Sequence, residues 1–241
     1  MWDTKTQTLI KTIDVEGGSD GIVFDPFNDR IHIISHRAPN DTVINAADGT
    51  IVGSIDLESA PEQAVTDEKG HIWVDIKDKG NVAMIDAKTM KVTARFDLGN
   101  KDATAAGLAF YAKNRILFVA CRPPAPGVMV MMNADTGKIL ATLPLDGASD
   151  NAVFNPKTIK AFSSAGNGKL TIIKEKSPSS FAVEQTLQTM QSAKTPNFDR
   201  KTGHVLLIGA EFGPAPARLN QADAPVADRC SQSFSILVVG K

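Results

Sequence analysis

The sequence has few of the features that mark disulfide-stabilised, nucleic-acid-binding or membrane-spanning proteins. Its two cysteines, Cys121 and Cys230, are too few for a disulfide scaffold and lack the paired spacing of a structural zinc site. Twenty-six basic and twenty-seven acidic residues are mixed along the chain, so the basic stripe of a nucleic-acid binder is missing. The longest apolar runs, around Met129–Met132 and Ile236–Val239, are far too short to cross a bilayer. We therefore expect neither nucleic acid nor a membrane as partner, and read the cysteines as unpaired thiols, with one Cys121–Cys230 bridge as the alternative.

No leader with a charged start and an apolar centre opens the chain. This predicts either a cytoplasmic protein or the mature or truncated form of an exported, periplasmic one. The apolar fraction of 42% over 241 residues is enough to bury a large core, which excludes a disordered chain. The length is large for one ordinary domain, but all-β barrels and propellers reach it as a single unit. Composition thus predicts a soluble, globular protein and says nothing about its chemistry.

Internal repetition is the strongest signal in the sequence. Five segments begin with small or polar residues and continue into a short, mostly apolar stretch: Ser19–Phe24, Pro61–Thr66, Ala105–Phe110, Ser149–Phe154 and Ala193–Phe198. Their last positions, 24, 66, 110, 154 and 198, are separated by steps of 42, 44, 44 and 44 residues. That period is typical of the four-stranded blades of a β-propeller. We therefore predict an all-β fold with five blades.

Each repeat divides into strand-like stretches joined by turns. A turn such as Asp135-Thr136-Gly137 precedes an alternating segment, Lys138–Leu143, and no window of helical length shows a 3.6-residue stripe. The chain opens near the end of a third strand, continues into an outer strand at Thr8–Val15, and finishes with another third strand at Phe234–Val239. We therefore predict one domain spanning residues 1–241, with the last blade shared by the two termini so that no sheet edge is exposed. A loop insertion at 211–233 interrupts the last repeat and should lie on the same face as the channel mouth.

The segment Ile139–Leu143, with the Asp-Thr-Gly turn before it and the small-residue motif after it, resembles the YVTN-repeat family of β-propellers. Members of that family often have more blades and an export signal, so a Met1 inside a blade marks this chain as a truncated relative. The resemblance implies a central channel lined by the first strand of each blade. The family is functionally mixed, and a fold alone does not assign an activity.

On that architecture, four polar residues are expected at one channel mouth: Asp20, Glu62, Asp150 and Asn151. Converging oxygen ligands suit a divalent cation. The motifs that contain them also resemble those of the gluconolactonase and paraoxonase propellers, in which such residues hold a catalytic metal. The resemblance implies a bound divalent ion, calcium first, with zinc or manganese as alternatives. The competing interpretation is that these side chains end strands and satisfy turn N–H groups.

Three further residues are candidates for catalysis. His36 should emerge on the same face as Asp20 and would serve as a metal ligand or as a general base near neutral pH. Arg37 and Arg122 would hold an anionic group or stabilise developing negative charge. Each is equally explained as an ordinary loop residue. Phosphate-cradling loops and His-Glu-x-x-His motifs are absent. The sequence thus predicts a metal-assisted hydrolase of a small lactone, ester or phosphoester; the alternative is a non-catalytic YVTN-type propeller that binds a protein or small ligand through its loops.

Overall fold

The structure, a computed structural model, describes residues 1–100, 103–122, 127–212 and 230–240, with the backbone alone for residues 212 and 230–232. Its strands form five antiparallel sheets. The first strands of consecutive sheets, β1, β5, β9, β13 and β17, pack against one another in chain order and line a central channel. The predicted all-β, five-bladed propeller is confirmed. No helix in the described part of the chain is long and apolar enough to cross a membrane.

The strand bounds follow the predicted repeats. Blade 1 contains β1 (Ser19–Asp25), β2 (Arg30–Ser35), β3 (Asn40–Asn45) and β4 (Ile51–Asp56). Blade 2 contains β5 (Pro61–Thr66), β6 (His71–Ile76), a 3₁₀ turn (Lys77–Lys79), β7 (Asn81–Asp86) and β8 (Lys91–Asp97). Blade 3 contains β9 (Thr104–Tyr111), β10 (Ile116–Arg122), β11 (Gly127–Asn133) and β12 (Ile139–Leu145). Blade 4 contains β13 (Ser149–Asn155), β14 (Lys160–Ala165), β15 (Lys169–Ser177) and β16 (Ser180–Gln188). Blade 5 contains β17 (Thr195–Phe198), β18 (Val205–Phe212) and β19 (Cys230–Val239).

Within the described residues the fifth blade has three strands, and the N-terminal segment does not join it, so the prediction of a blade shared by the termini is wrong. The segment Thr8–Val15 does not pair with β19; within residues 1–18 the only bridge joins Trp2 to Leu9. The segment lies instead against the turn between β3 and β4, where Lys11 Nζ donates to the carbonyl oxygens of Asp48 and Gly49. Of the predicted insertion at 211–233, β18 and β19 occupy the two ends, and residues 213–229 lie outside the described residues.

The hydrophobic core lies between the blades. Four clusters fill the junctions from blade 1 to blade 5, and the largest of their fully buried side chains are Trp73, Phe118 and Ile34. Strands that are apolar on both faces are needed for this packing in blades 2, 3 and 4, because the sheet of each is covered by a neighbour on either side. Outer strands such as Ile139–Leu145 instead alternate between exposed and more buried residues, because neighbouring blades cover them only in part.

Glycines allow the inner strands to approach each other closely. A Cβ on Gly107 of β9 would lie 2.6–2.8 Å from backbone atoms of Asn151 and Ala152 in β13, and one on Gly21 would lie 2.7 Å from the carbonyl oxygen of Glu62. Backbone atoms of a paired strand cannot move away from an added Cβ atom as the end of a flexible side chain can. The spacing of the blades around the channel mouth therefore depends on these glycines.

We expect Gly107→Ala to lower the free energy of unfolding by about 1–3 kcal/mol, because the added methyl group forces two strands apart. Gly166→Ala is the matched control, since nothing lies within 4 Å of its Cβ position, and the entropic effect of replacing glycine in the unfolded chain is shared by both variants. Urea unfolding followed by circular dichroism measures both. Equal stability of the two variants would contradict the close approach of β9 and β13.

Candidate functional site

The mouth of the channel, defined here as the end at which the five inner strands begin, carries charged side chains at equivalent positions. These positions lie four residues before the repeat positions 24, 66, 110, 154 and 198 and hold Asp20, Glu62, Ala106, Asp150 and Lys194. The strand following each inner strand returns to the same end, where His36 and Arg122 lie at its last residue or directly after it. The repeat period thus sets the height of these groups along the channel, while their contacts depend on the packing of the blades.

Asp20, His36 and Glu62 form one group across the junction of blades 1 and 2. One ligating atom from each lies within 4.8 Å of the others. His36 Nδ1 is 3.9 Å from Asp20 Oδ2 and 4.0 Å from Glu62 Oε1, and 3.4 Å from the carbonyl oxygen of Pro61. The side chain of Glu62 is 8% exposed, against 46% for Asp20. The group is therefore anchored in the protein on one side and open to solvent on the other.

Lys77 completes the charge balance of this group. It follows β6 directly, and its ammonium donates to Glu62 Oε1. This ion pair gives the buried carboxylate a partner from within the protein. A cation that binds Glu62 must therefore displace Lys77 or share the carboxylate with it.

Asp75 lies beneath Glu62 and is fully buried in β6. Its Oδ1 accepts a hydrogen bond from the backbone N–H of Gln63 at 2.6 Å, whereas its Oδ2 has no hydrogen-bond partner. Burial, reinforced by the charge of Glu62, raises the pKa of Asp75 to about 7 against the opposing effect of the backbone hydrogen bonds. Asp75 is not among the sequence-based candidates, although it is the one charged residue that interrupts the apolar run Ile72–Ile76.

Asp150 and Asn151, the other two predicted ligands, do not belong to the group formed by Asp20, His36 and Glu62. Asp150 pairs with Arg122 and lies 3.1 Å from Lys194 Nζ, so two cations neutralise it. The amide oxygen of Asn151 accepts a hydrogen bond of 2.7 Å from the N–H of Ala152. The degenerate fifth repeat did not indicate that Lys194 would lie at the channel mouth. Its ammonium lies beside Asp150 and gives that carboxylate a second cationic partner.

The predicted arginines differ in their surroundings. The guanidinium of Arg122 donates to the carbonyl oxygen of Ser149 at 2.7 Å as well as to Asp150, so it is already engaged. Arg37 is exposed, with its Cδ atom near Gly18, and is not part of the group around Glu62. Neither arginine is therefore held ready, in this conformation, to stabilise an oxyanion at that group.

Two potential nucleophiles are not arranged for catalysis. Cys121 is a free, fully buried thiol, and burial together with the charge of Asp75 raises its pKa to about 12, which disfavours a reactive thiolate. The side chain of Cys230 lies outside the described residues. Gly17–Gly21 has the Gly-x-Ser-x-Gly spacing of hydrolase nucleophile elbows, but Ser19 opens strand β1 instead of a strand-to-helix turn.

A wide cavity lies at the opposite end of the channel. It has a volume of ≈ 860 Å³ and is lined by the ends of all five inner strands, including Phe24, Phe110, Phe154 and Phe198. Asp67, Lys69 and Arg200 are among the residues that line it. The channel therefore has two chemically different ends: a charged mouth and a wider, aromatic-lined opening.

The charged mouth fits a divalent ion with a mixed nitrogen and oxygen ligand set. Ligands of a tetrahedral ion at about 2.1 Å lie about 3.4 Å from one another, so the observed 3.9 and 4.0 Å separations need only a small contraction. Imidazole is a good ligand for zinc and a poor match for calcium, which prefers six to eight oxygens. A group that includes His36 and lacks Asp150 is therefore a better match for zinc than for calcium.

Comparisons with known proteins support the fold and nothing finer. No family model matches the sequence, and no curated protein matches it either. Among solved structures, the β-propeller domain of Cps50 (Swd1) from Myceliophteria thermophila is similar with a TM-score of 0.70 and 11% identity, over 86% of this chain and 71% of that chain. Hydrazine synthase from Kuenenia stuttgartiensis is similar with a TM-score of 0.66 and 13% identity, over 96% of this chain and 65% of that chain. At these identities the likeness shows a β-propeller fold alone.

Proposed function

We propose that Asp20, His36 and Glu62 bind one divalent transition-metal ion at the channel mouth, and that the chain is a metal-assisted hydrolase of a small ester, lactone or phosphoester. The observation that carries this proposal is the convergence of three ligating atoms within 4.8 Å from two blades. Three protein ligands with an open side are the arrangement of catalytic rather than structural zinc sites.

The chemistry divides among the residues of the group. A bound ion would polarise a substrate oxygen or lower the pKa of attacking water. Glu62, the most buried of the three, would serve as the fixed ligand, and His36 would bind through Nδ1, which removes it from the role of general base. Asp20, the most exposed ligand, would bind through one carboxylate oxygen and leave the other to accept a proton. Lys77, once displaced from Glu62, contributes a cation beside the reacting group.

The second candidate is a propeller that binds a ligand without catalysis. Two observations favour it: Arg122 is already engaged by Asp150 and Ser149, and the wide cavity lies at the other end of the channel from the charged mouth. In this alternative, Glu62 and Lys77 form an ordinary ion pair across the end of blade 2.

We expect the purified protein, after dialysis against zinc or manganese, to retain about one ion per chain by elemental analysis. Glu62→Gln should weaken binding by about tenfold or more, because it removes the buried anionic ligand. Lys77→Met should strengthen it, because it removes the competing ammonium. Glu184→Gln, an exposed carboxylate of β16 paired with Lys160, is the matched control and should leave binding unchanged.

The same preparations are then assayed with a p-nitrophenyl ester, a small lactone and a phosphotriester. Turnover that chelator abolishes and added metal restores supports the hydrolase, and metal binding without turnover supports the non-catalytic alternative. Unchanged metal content in Glu62→Gln contradicts the proposed site. If instead Asp150→Asn is the variant that loses the ion, the ligands lie in blade 4 and not between blades 1 and 2.

A further inference from the structure

The wide cavity at the end of the channel opposite the mouth is bordered by lysines at equivalent positions of three consecutive blades. Lys69, Lys113 and Lys157 follow the repeat positions 66, 110 and 154 by three residues, in the turn between the inner strand and the second strand of each blade. All three line the cavity and are exposed to solvent. They belong to blades 2, 3 and 4, each of which packs against a neighbour on both sides. The repeat therefore places three cationic side chains along one arc of this opening.

The two acidic residues that line the cavity are already engaged by other cations. Asp67 Oδ2 is 2.8 Å from Arg115 Nη1 and 3.0 Å from His71 Nδ1, and the side chain of Asp67 is 3% exposed. Glu68 Oε1 is 3.5 Å from Arg200 Nη1. Neither carboxylate is therefore left over to balance the charge of the three lysines.

This arc differs in its charge balance from the channel mouth. At the mouth, Lys77 contacts Glu62, and Lys194 contacts Asp150. Within the described part of the chain, the lysines that form ion pairs with carboxylates do not include the three that border the cavity. A cleft bordered by charges of one sign concentrates counter-ions from solution. The arc therefore has an excess of positive charge that an anionic ligand would neutralise.

The same three blades give the cavity an apolar wall. Val65, Phe110 and Val153 of the inner strands line it and are half-buried. Its volume of ≈ 860 Å³ suits a small molecule, and small-molecule sites combine an apolar lining with a few convergent polar groups. Because the cations come from three different blades, a ligand with several separated negative charges engages more of them than a compact anion such as sulfate does.

We propose that this end of the channel binds a small organic anion that carries an apolar ring and two or three carboxylate, sulfonate or phosphate groups. Lys69, Lys113 and Lys157 hold the charged groups as point charges, and the apolar wall formed by blades 2, 3 and 4 packs against the ring. The site shares no residue with the group of Asp20, His36 and Glu62 at the mouth. It therefore does not depend on the proposed metal ion or on hydrolysis.

The test uses pyranine, a fluorescent pyrene trisulfonate, as the probe for the full chain. We expect fluorescence anisotropy to show saturable binding of about one pyranine per chain at low ionic strength. Binding should weaken as sodium chloride rises from about 50 to 500 mM, because the added ions screen exposed charges. Neutral pyrenemethanol, which has the ring without the charges, should bind at least about tenfold more weakly.

Substitution of the lysines identifies the site. Lys69→Met, Lys113→Met and Lys157→Met should each weaken pyranine binding by about fivefold, the effect of one cation–anion contact in water, while methionine keeps an unbranched apolar stem. Lys113→Arg retains the charge and should bind pyranine like the wild type. Lys91→Met, which removes an exposed lysine of β8 that does not line the cavity, is the matched control and should also bind like the wild type. Glu62→Gln, at the other end of the channel, should leave pyranine binding unchanged whatever it does to metal content.

Four results would each overturn the proposal. Absence of saturable pyranine binding up to about 1 mM would show that the arc holds no such anion. Equal affinity for pyrenemethanol would assign the cavity to apolar ligands alone. An equal loss in Lys91→Met and in the three cavity variants would show attraction to the overall charge of the protein instead of a site. A loss in Glu62→Gln would place the ligand at the channel mouth.

Discussion

Replacing Asp75 with asparagine should make the protein more stable at alkaline pH relative to the wild type. The pKa of Asp75 is about 7 in the folded protein and about 3.9 in the unfolded chain. Between these values the folded state binds more protons than the unfolded state, so wild-type stability falls as pH rises through this window. The complete loss amounts to about 4 kcal/mol, at about 1.4 kcal/mol for each unit of pKa difference. Asparagine keeps an oxygen for the Gln63 N–H and has no proton to lose.

The measurement compares urea unfolding of the two proteins from pH 4 to pH 8. The difference in unfolding free energy should grow in favour of Asp75→Asn as pH rises and level off above pH 7. Asp86→Asn, in the same blade, is the control: hydrogen bonds from Thr89 lower the pKa of the Asp86 carboxyl, so its contribution to stability changes with pH only below about pH 5, and this variant should parallel the wild type from pH 5 to pH 8 apart from a constant offset. A wild-type profile parallel to that of Asp75→Asn would show that the buried carboxyl is ionised in the folded protein across this range, contrary to the argument from burial.

Trp73→Ala should cause a large loss of stability, because Trp73 packs at the junction of blades 2 and 3. Trp73 is fully buried, and its Nε1 donates to the carbonyl oxygen of Ala134 at 2.9 Å. Its ring stacks on Phe110, and the guanidinium of Arg115 lies 5.1 Å from the ring centroid. Removing the indole leaves a cavity and an unpaired carbonyl, at a cost of about 3–5 kcal/mol out of a typical total of about 5–15.

Trp2→Ala is the matched control, because the indole of Trp2 is 64% exposed. It should change stability by less than about 0.5 kcal/mol. Trp73→Phe separates the two contributions, since it retains an aromatic ring and loses the hydrogen bond to Ala134. All three variants are compared with the wild type by urea unfolding. A loss below about 1 kcal/mol for Trp73→Ala would show that this junction tolerates a cavity and that its packing is not what joins the two blades.

The repeat fixed more of the fold than any single motif did. The five inner strands begin and end close to the predicted segments, because a strand that lines the channel must be short, apolar and bounded by turns in every blade. The same periodicity predicts that Asp20, Glu62 and Asp150 lie at one height along the channel. It also predicts that His36 emerges beside Asp20, and the 3.9 Å separation of their ligating atoms agrees with this.

Periodicity could not predict which of these charges pair. Glu62 and Asp150 occupy equivalent positions, yet Glu62 lies with His36 and Lys77, and Asp150 with Arg122 and Lys194. Partner choice depends on distances of a few ångströms between neighbouring blades, which side-chain length and close backbone approach at Gly21 and Gly107 determine. The metal-binding role of these residues stays a prediction.

The sequence by itself determined the all-β class, the number of blades and the end of the channel at which the charged residues collect, because alternation, turn residues and a fixed period are local properties that every blade repeats. Only the tertiary structure determined where the segment near the N-terminus packs. The segment Thr8–Val15 has the pattern of an outer strand, but a strand is stable only beside a partner edge that packing brings within hydrogen-bonding distance. In this structure the segment does not pair with the edge of β19, and it rests instead on the turn between β3 and β4 of blade 1.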